Sequence, residues 1–282
     1  MDNLQVACVP ASALLTARLR DAVGPAGRVF PFQTADEAIP LMNRSDIHCC
    51  VVAVDPDSFD RDVGNIRRIR EAFPNHPIVA WCEMRSLSSR QLLDIAAFSI
   101  ADIAFRGATD SRHAFGQMLS MALQRTSARQ LDSRLSALMP EPIRPVFIMA
   151  LERAGEPIDV ERLSAAFGIT RQTLRNRLLH YGLPGPQTFL VWTRLLVAGS
   201  LLGGRGRTLD SVAMQLNFSS ASNLGAALRR YVGANITELR RGEVGPSVEA
   251  EFTRIVTRGR ARAAAMRKAD KRDSLPAPSS AD

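Results

Sequence analysis

Four side chains with long hydrogen-bonding reach stand close together in the second half of the chain. They are Arg171, Gln172, Arg175 and Asn176. An arginine can donate two parallel hydrogen bonds to O6 and N7 of guanine, and a glutamine or asparagine can pair with N6 and N7 of adenine. Each such pair is worth about 1–3 kcal/mol of discrimination against the wrong base. On a helix these four positions share one outer side, so the chemistry they predict is recognition of base edges in double-stranded DNA.

The charge distribution supports a polyanionic partner. Residues 1–140 contain 15 arginines and 15 acids, whereas residues 141–282 contain 21 basic and 13 acidic residues, so the whole net charge of +8 lies in the second half. The stretch from Arg162 to Leu209 has seven arginines and no acid. A basic stripe of this kind is the electrostatic footprint of a nucleic-acid binder. The alternative is the polar outer face that any soluble helix shows, but such a face usually mixes both signs.

An internal repeat positions the four side chains. The chain matches itself at an offset of 49 residues before a turn and 50 after it, in the pairs Asp159 and Thr208, Leu163 and Val212, Phe167 and Leu216, Leu174 and Leu224, Leu178 and Leu228, Tyr181 and Tyr231. Each copy predicts two helices around a tight turn at Gly168 or Asn217, residue types that tolerate a left-handed backbone. Asp159, Thr208, Thr170 and the Ser219-Ser220 pair are the expected N-caps. This is a helix-turn-helix pattern, present twice.

The second copy differs in its outer positions. Where the first copy has its four long polar side chains, the second has Ala221, Ser222, Gly225 and Ala226. We expect this helix to dock through its ends on phosphate, with Ser219, Ser220, Ser222 and Asn223 near one end and Arg229 and Arg230 near the other. Thr170 would contribute in the same way at the start of the first reading helix, and Arg194, Arg205 and Arg207 are further predicted anchors of the DNA backbone. Base specificity should then lie mainly in the first copy.

The segment DSVAMQLNFSSASNLGAALRRYVG, residues 210–233, resembles the C-terminal signature of the AraC family of bacterial transcription regulators. The resemblance covers about 145–241 and includes a long helix, 186–202, between the two units. The chain departs from the family pattern at Asn217, Leu224, Leu228 and Ile236, and its loop 203–207 is unusual. The resemblance implies sequence-specific promoter binding, with the reading helices in successive major grooves. It also makes RNA polymerase a candidate partner.

The first half predicts a different fold class. Short apolar runs at 5–10, 28–32, 49–55, 77–82 and 101–105 alternate with amphipathic stretches at 14–23, 35–43, 63–73, 89–98 and from about 111 onward. Alternation of this kind, with strands apolar on both sides, indicates a parallel α/β sheet covered on both faces. We expect the flavodoxin-like strand order 2-1-3-4-5.

Five such units with Asp55 after the third strand resemble a response-regulator receiver. Such a domain needs an acid pair after the first strand to hold Mg²⁺, and Pro10-Ala11-Ser12 stand there; Cys82 and Arg106 replace its hydroxyl and its lysine. Without the acids, Mg²⁺ lacks ligands to neutralise a phosphoryl group. We therefore expect Asp55 to cap a turn rather than to be phosphorylated, at the carboxyl edge of the sheet where Pro10, Cys82 and Arg106 also lie.

The expected organisation is a receiver-like domain at 1–125, a connecting helix and Pro-rich linker at 126–144, a double helix-turn-helix domain at 145–242, and a basic helical or disordered tail at 243–282. The apolar stripe of the connecting helix allows two interpretations, a homodimer seam or packing on its own chain. The tail likewise either contacts phosphate or forms a solvated basic helix.

Other functional classes have weaker support. The cysteines Cys8, Cys49, Cys50 and Cys82 are not in metal-ligand spacing, and buried cysteines are usually packing residues, so we expect neither a metal nor a cofactor. An enzyme using Asp55 or a cysteine lacks a triad and a phosphate loop. Neither a membrane span nor a secretory segment is indicated, and a reducing cytoplasm is the expected location. The main alternative to a DNA-binding regulator is a protein-interaction adaptor with degenerate DNA reading.

Overall fold

The computed structural model describes residues 4–83, 86–109, 111–203, 207–234, 238 and 244–273, with side chains up to residue 268. The first part alternates strands β1 (Gln5–Val9), β2 (Arg28–Pro31), β3 (Cys49–Val54), β4 (Ile78–Glu83) and β5 (Asp102–Arg106) with helices α1 (Ala13–Val23), α2 (Ala35–Arg44), α3 (Phe59–Ala72), α4 (Ser89–Ala96) and α5 (Arg112–Leu135). The second part contains helices α6 (Arg144–Glu152), α7 (Val160–Ala166), α8 (Arg171–His180), α9 (Pro186–Leu202), α10 (Leu209–Gln215), α11 (Ala221–Val232) and α12 (Val244–Asp273).

All five strands are parallel, and their order is β2-β1-β3-β4-β5, as the sequence predicted. Val6 lies beside Cys49, and Cys50 lies beside Ile78. Successive residues of β1 and β3 enter opposite cores, because side chains alternate across a strand. The strands are apolar throughout for this reason, and the fold class of the first part is confirmed.

Helix α5 joins the two halves. It runs without a break past residue 125, as the sequence predicted for a connecting helix, and it packs on α1 as well as on α6 and α9. Its apolar stripe, including Leu119, Leu131 and Leu135, is buried within its own chain. Of the two interpretations of this stripe, packing on its own chain is therefore the one observed. One apolar cluster extends from the sheet through α5 into the helices of the second half.

The N-caps of the repeated units form as predicted. Asp159 accepts a hydrogen bond from the backbone N–H of Arg162 at 2.8 Å, and Thr208 accepts one from that of Ser211 at 3.1 Å. The turns pass through a left-handed backbone, with φ of +62° at Gly168 and +56° at Asn217. Each cap satisfies one amide that the first turn of a helix leaves free. The duplicated helix-turn-helix unit is thus present in the fold.

Helix α12 is a packed element, which the interpretation as a phosphate-binding or solvated tail missed. Val244, Val248, Phe252 and Val256 are all fully buried, and the helix lies mainly against α9. The ring of Phe252 stacks on that of Phe147 with centroids 5.8 Å apart. The spacing of four residues between these apolar side chains places them on one helical stripe, so the sequence did carry a signal for a buried face.

Two pairs of glycines let the backbone of α12 approach the helix-turn-helix part. A Cβ atom on Gly245 would lie 2.8 Å from the carbonyl oxygen of Gly199, and one on Gly259 would overlap the carbonyl oxygen of Gly182. Side-chain packing cannot relieve a collision with backbone atoms. The glycines therefore fix how closely α12 can dock.

Arg70 ties two loops of the first half together. Its guanidinium donates to the carbonyl oxygens of Phe98 at 3.0 Å, Pro74 at 2.7 Å and His76 at 2.9 Å. Beside it, Nε2 of His76 is buried without a hydrogen-bond partner among the described residues. Burial, followed by the charges of Arg70 and His48, lowers the pKa of His76 to about 4. The folded protein thus holds His76 neutral.

Within the parts of the chain that the structure describes, no helix combines the length and the apolar character needed to cross a membrane.

Substitution of Gly259 tests the close approach of α12 to Gly182 separately from the general preference of helices for alanine. We expect Gly259→Ala to lower the free energy of unfolding by about 1–3 kcal/mol, because the added methyl group meets backbone atoms of Gly182. The matched control is Gly64→Ala in α3, where an added Cβ meets nothing within 4 Å. That change should stabilise the protein by about 0.5–1 kcal/mol, since alanine is the better helix former. Urea unfolding measures both, and stabilisation by Gly259→Ala would contradict close docking of α12.

His76 predicts a pH dependence of stability. Its pKa is about 4 in the folded protein and about 6.5 in an unfolded chain, so the unfolded state binds the proton first as the pH falls. Stability should therefore decrease between pH 6.5 and 4. In His76→Gln the loss over this window should be smaller by about 1–3 kcal/mol, measured by urea unfolding at several pH values. Parallel pH profiles for the two proteins would show that His76 does not titrate in this way.

Candidate nucleic-acid interface

Helix α8 presents the four predicted base readers to solvent. Its N-cap Thr170 accepts a hydrogen bond from the backbone N–H of Thr173 at 3.1 Å, and the side chains of Leu174 and Leu178 are fully buried beneath it. The remaining outer positions are exposed: Arg171, Gln172, Arg175 and Asn176. Burial of the two leucines fixes the rotation of the helix, so the polar side chains point away from the protein.

The contacts among these exposed side chains are weak. Gln172 donates from Nε2 to Oδ1 of Asn176 at 2.9 Å. Arg171 lies 3.7 Å from a carboxylate oxygen of Glu161, and both side chains are about two-thirds exposed, at 67% and 71%. An exposed ion pair of this length contributes little free energy. A DNA duplex could therefore replace both contacts at low cost.

Helix α11 presents a different surface. Its cap Ser220 accepts from the backbone N–H of Asn223 at 3.2 Å, and the side chain of Asn223 donates to the hydroxyl of Ser219. Ser222 and Ala226 are exposed, but Gly225, which the sequence placed on the outer face, is buried near the Arg229 guanidinium and the Leu209 side chain. The outward surface of α11 is consequently smaller than the repeat suggested.

The basic end of α11 is open to solvent. Arg229 and Arg230 are exposed, and the Arg230 guanidinium lies 5.7 Å from the ring centre of Tyr231. Tyr231 itself packs edge-on against Trp192. These two arginines keep the outward position that phosphate contact requires.

Two of the other predicted anchors point toward protein atoms instead. Arg194 donates to the carbonyl oxygen of Ile158 at 3.0 Å, and burial lowers the pKa of its guanidinium. Arg207 donates to Oε1 of Gln215 at 2.6 Å, and burial lowers its pKa to about 10. The third, Arg205, lies outside the described residues. We therefore leave Arg194 and Arg207 out of the interface proposed below.

The carboxyl edge of the sheet holds the residues that the receiver resemblance singled out. Pro10, Asp55, Cys82 and Arg106 stand at or just after the ends of β1, β3, β4 and β5. Oδ1 of Asp55 accepts from the backbone N–H of Asp57 at 3.1 Å, so this carboxylate caps a turn, as expected. The Arg106 guanidinium lies 4.5 Å from the Trp81 ring centre.

Asp62 is a buried acid in this region, and no sequence motif singled it out. Its side chain is 1% exposed and accepts from the Ser58 hydroxyl at 2.6 Å and the Asp55 backbone N–H at 3.2 Å. It therefore holds the loop after β3 together. No group of His, Cys, Asp or Glu side chains within the described ranges could hold a metal ion.

The four cysteines are free and buried. Burial raises the pKa of Cys49 to about 12 and that of Cys82 to about 11, and it raises the pKa values of Cys8 and Cys50 as well. Since the thiolate is the reactive form, these thiols are poor nucleophiles. Their positions on the strands are those of packing residues.

Residues 163–242 match a family model described as a helix-turn-helix domain. Among solved structures, the chain is similar to the RcsB response regulator of Salmonella typhimurium, with 14% identity, coverage of 82% of this chain and 100% of that chain, and a TM-score of 0.32. It is also similar to full-length FixJ from B. japonicum, with 13% identity, coverage of 83% and 100%, and a TM-score of 0.32. A comparison with curated proteins gave no match.

The family match spans both reading helices, α8 and α11, and the long helix α9 between them. Domains of this type bind DNA in transcription regulators and are typically not enzymes. The fold of the N-terminal half follows from its strand order and does not rest on similarity to other structures. Residues 163–242 are thus a helix-turn-helix domain of the AraC type, and they follow a parallel α/β domain with the strand order of the flavodoxin-like fold.

Proposed function

We propose that this protein is a sequence-specific transcription regulator in which the first helix-turn-helix unit reads most of the base sequence. The observation that carries the proposal is the contrast between the two reading helices. Helix α8 exposes two arginines and two carboxamides, whereas α11 exposes Ser222 and Ala226 at comparable positions and buries Gly225. The first set can form bidentate hydrogen bonds to base edges in a major groove, whereas Ser222 and Ala226 cannot.

The second unit would act mainly as a clamp on the DNA backbone. Hydroxyl and carboxamide groups at the N-terminal end of α11, together with exposed Arg229 and Arg230 near its other end, can contact phosphate oxygens on either side of a groove. Residues in this part of the proposal are Ser219, Ser220, Ser222 and Asn223, with Thr170 in the same role on α8. Because such contacts release counterions, affinity should fall steeply with salt.

The receiver-like domain would serve regulation rather than phosphoryl transfer. Asp55 already caps the turn after β3, and the residues after β1 supply no carboxylate for Mg²⁺. Homodimer formation through another surface, contact with RNA polymerase and location in the cytoplasm stay predictions.

A protein-interaction adaptor is the second candidate, and the short side chains of α11 favour it. Selection of bound duplexes from a random pool with the full-length protein separates the two functions. A regulator should enrich one motif and release it as salt is raised, and repeated half-sites in that motif would indicate a dimer. Absence of any enriched sequence together with absence of salt-dependent retention would favour the adaptor.

Substitution in the two reading helices should affect specificity unequally. On the selected duplex, Arg175→Ala should lose about 1–3 kcal/mol of discrimination at one base pair, because a bidentate contact to a base edge disappears. The matched change Ser222→Ala in α11 should leave base preference nearly unchanged. Fluorescence anisotropy with single-base variants of the duplex measures both. Equal loss of specificity from the two substitutions would contradict concentration of base reading in the first unit.

Asp55 should not accept a phosphoryl group. Incubation with acetyl phosphate and Mg²⁺ should add no phosphoryl mass in intact-protein mass spectrometry, because the metal lacks its carboxylate ligands. A receiver that is known to react serves as the positive control for the reagent, and Asp55→Asn is the matched variant. A phosphoryl adduct on the unsubstituted protein that Asp55→Asn abolishes would show that this domain is a working receiver.

A further inference from the structure

A pocket of about 1020 Å³ lies where the two halves of the chain meet. The receiver-like half contributes the C-terminal end of α1, the loop after it and one side of α5. The helix-turn-helix half contributes the segment after α6 and one side of α10. The pocket is large enough for a small organic molecule, and sites between domains are common places for ligands.

Hydrogen bonds across the pocket hold its wall in place. Arg207 donates to the side chain of Gln215 at 2.6 Å, and Gln215 donates from Nε2 to the carbonyl oxygen of Ser120 at 2.8 Å. A parallel contact runs from Nε2 of Gln124 to the carbonyl oxygen of Glu152 at 3.0 Å. These hydrogen bonds link the two halves of the chain at the pocket. Gln215, which accepts from Arg207, also donates across the junction to Ser120.

The charges that line the pocket favour an anion. Its lining includes four arginines and two glutamates. Arg125 is paired with Asp102 at 2.8 Å, and Arg153 lies 3.9 Å from Glu156. Among the residues that the structure describes, Arg112 and Arg207 form no ion pair with a carboxylate. Arg112 is exposed to solvent, but the guanidinium of Arg207 is half-buried, and such a group without a counter-charge is costly unless an anion neutralises it.

Arg207 remains a cation at neutral pH. Burial lowers its pKa, but only to about 10, and the neighbouring Cys49 thiol does not neutralise it because burial raises the pKa of that thiol to about 12. The positive charge is thus a fixed feature of the pocket at the pH of a cell.

The apolar part of the lining includes two methionines on opposite sides of the junction, in addition to Leu4, Ala22, Val23, Pro25 and Ala26. Met121 on α5 is 42% exposed and Met214 on α10 is 75% exposed, although both side chains are large and apolar. Methionine adapts its shape to different apolar partners. The pocket therefore combines a cationic end with an adaptable apolar wall.

We propose that this pocket binds a small amphipathic organic anion, with its anionic group at Arg207 and its apolar body against Met121 and Met214. Such a ligand would contact α5 and α10 together. It would favour the arrangement of the two halves in which both contacts exist. The proposal goes beyond DNA binding and does not depend on it.

The test uses 8-anilinonaphthalene-1-sulfonate, a fluorescent anion with an apolar body, and N-phenyl-1-naphthylamine, which has the same body without the sulfonate. Fluorescence titration of the full-length protein should show saturable binding of the anion. Arg207→Gln should weaken that binding about tenfold or more, because a charge-assisted contact is lost, and should change binding of the neutral compound little. The control Arg90→Gln, at an exposed position on α4, should change neither.

A second variant keeps the test valid if Arg207→Gln alters the fold. Met214 is too exposed to support the core, so Met214→Glu should leave thermal unfolding unchanged while its carboxylate repels the anion. We expect weaker binding of the sulfonate in this variant as well. Unchanged binding of the anion in both variants would overturn the proposal. So would equal weakening of the anion and the neutral compound by Arg207→Gln when this variant unfolds thermally like the unsubstituted protein, or no binding of the anion to the unsubstituted protein.

Discussion

Burial of helix α5 on both sides is the constraint on which the rest of the structure depends. One side covers the sheet with α1, and the other packs on α6 and α9, so a single apolar cluster passes through both halves. Removing that surface from water is favourable in proportion to its area. The helix-turn-helix part is therefore built onto the receiver-like part rather than tethered to it, and α12 closes the other side of α9.

Packing constrains the buried sides of the two reading helices but not their outer sides. Leu174 and Leu178 beneath α8 have direct counterparts in Leu224 and Leu228 beneath α11, and all four are fully buried. The buried positions therefore carry the same residue type in both units, because both helices must pack on apolar neighbours. The outer sides are free of that requirement. One carries long polar side chains and the other short ones, which supports unequal shares in base reading.

Arginines in this protein have two distinct physical roles. Those on the outer sides of α8 and α11 are exposed and keep their charge available to a partner. Others are used internally: Arg70 donates to loop carbonyl oxygens, Arg194 to that of Ile158, and Arg207 to Gln215 at the junction. Position in the chain does not distinguish these groups. Arg207 belongs by sequence to the basic stretch, yet its guanidinium lies in the pocket between the halves.

Local sequence patterns were sufficient to predict much of the fold of this protein. Apolar runs predicted the five strands, and the fold class that they indicate supplied the strand order. The caps at Asp159 and Thr208 and the turns at Gly168 and Asn217 predicted the repeated helical units, because caps and turns depend on neighbours a few residues away. Tertiary structure decided what depends on distant contacts: which partners cover the stripe of α5, how Gly259 lets α12 approach Gly182, why Gly225 is buried, and where Arg207 points. The sequence states the charge and size of each side chain, but the surroundings of that side chain include segments that are distant along the chain, and only the packed structure brings those segments together.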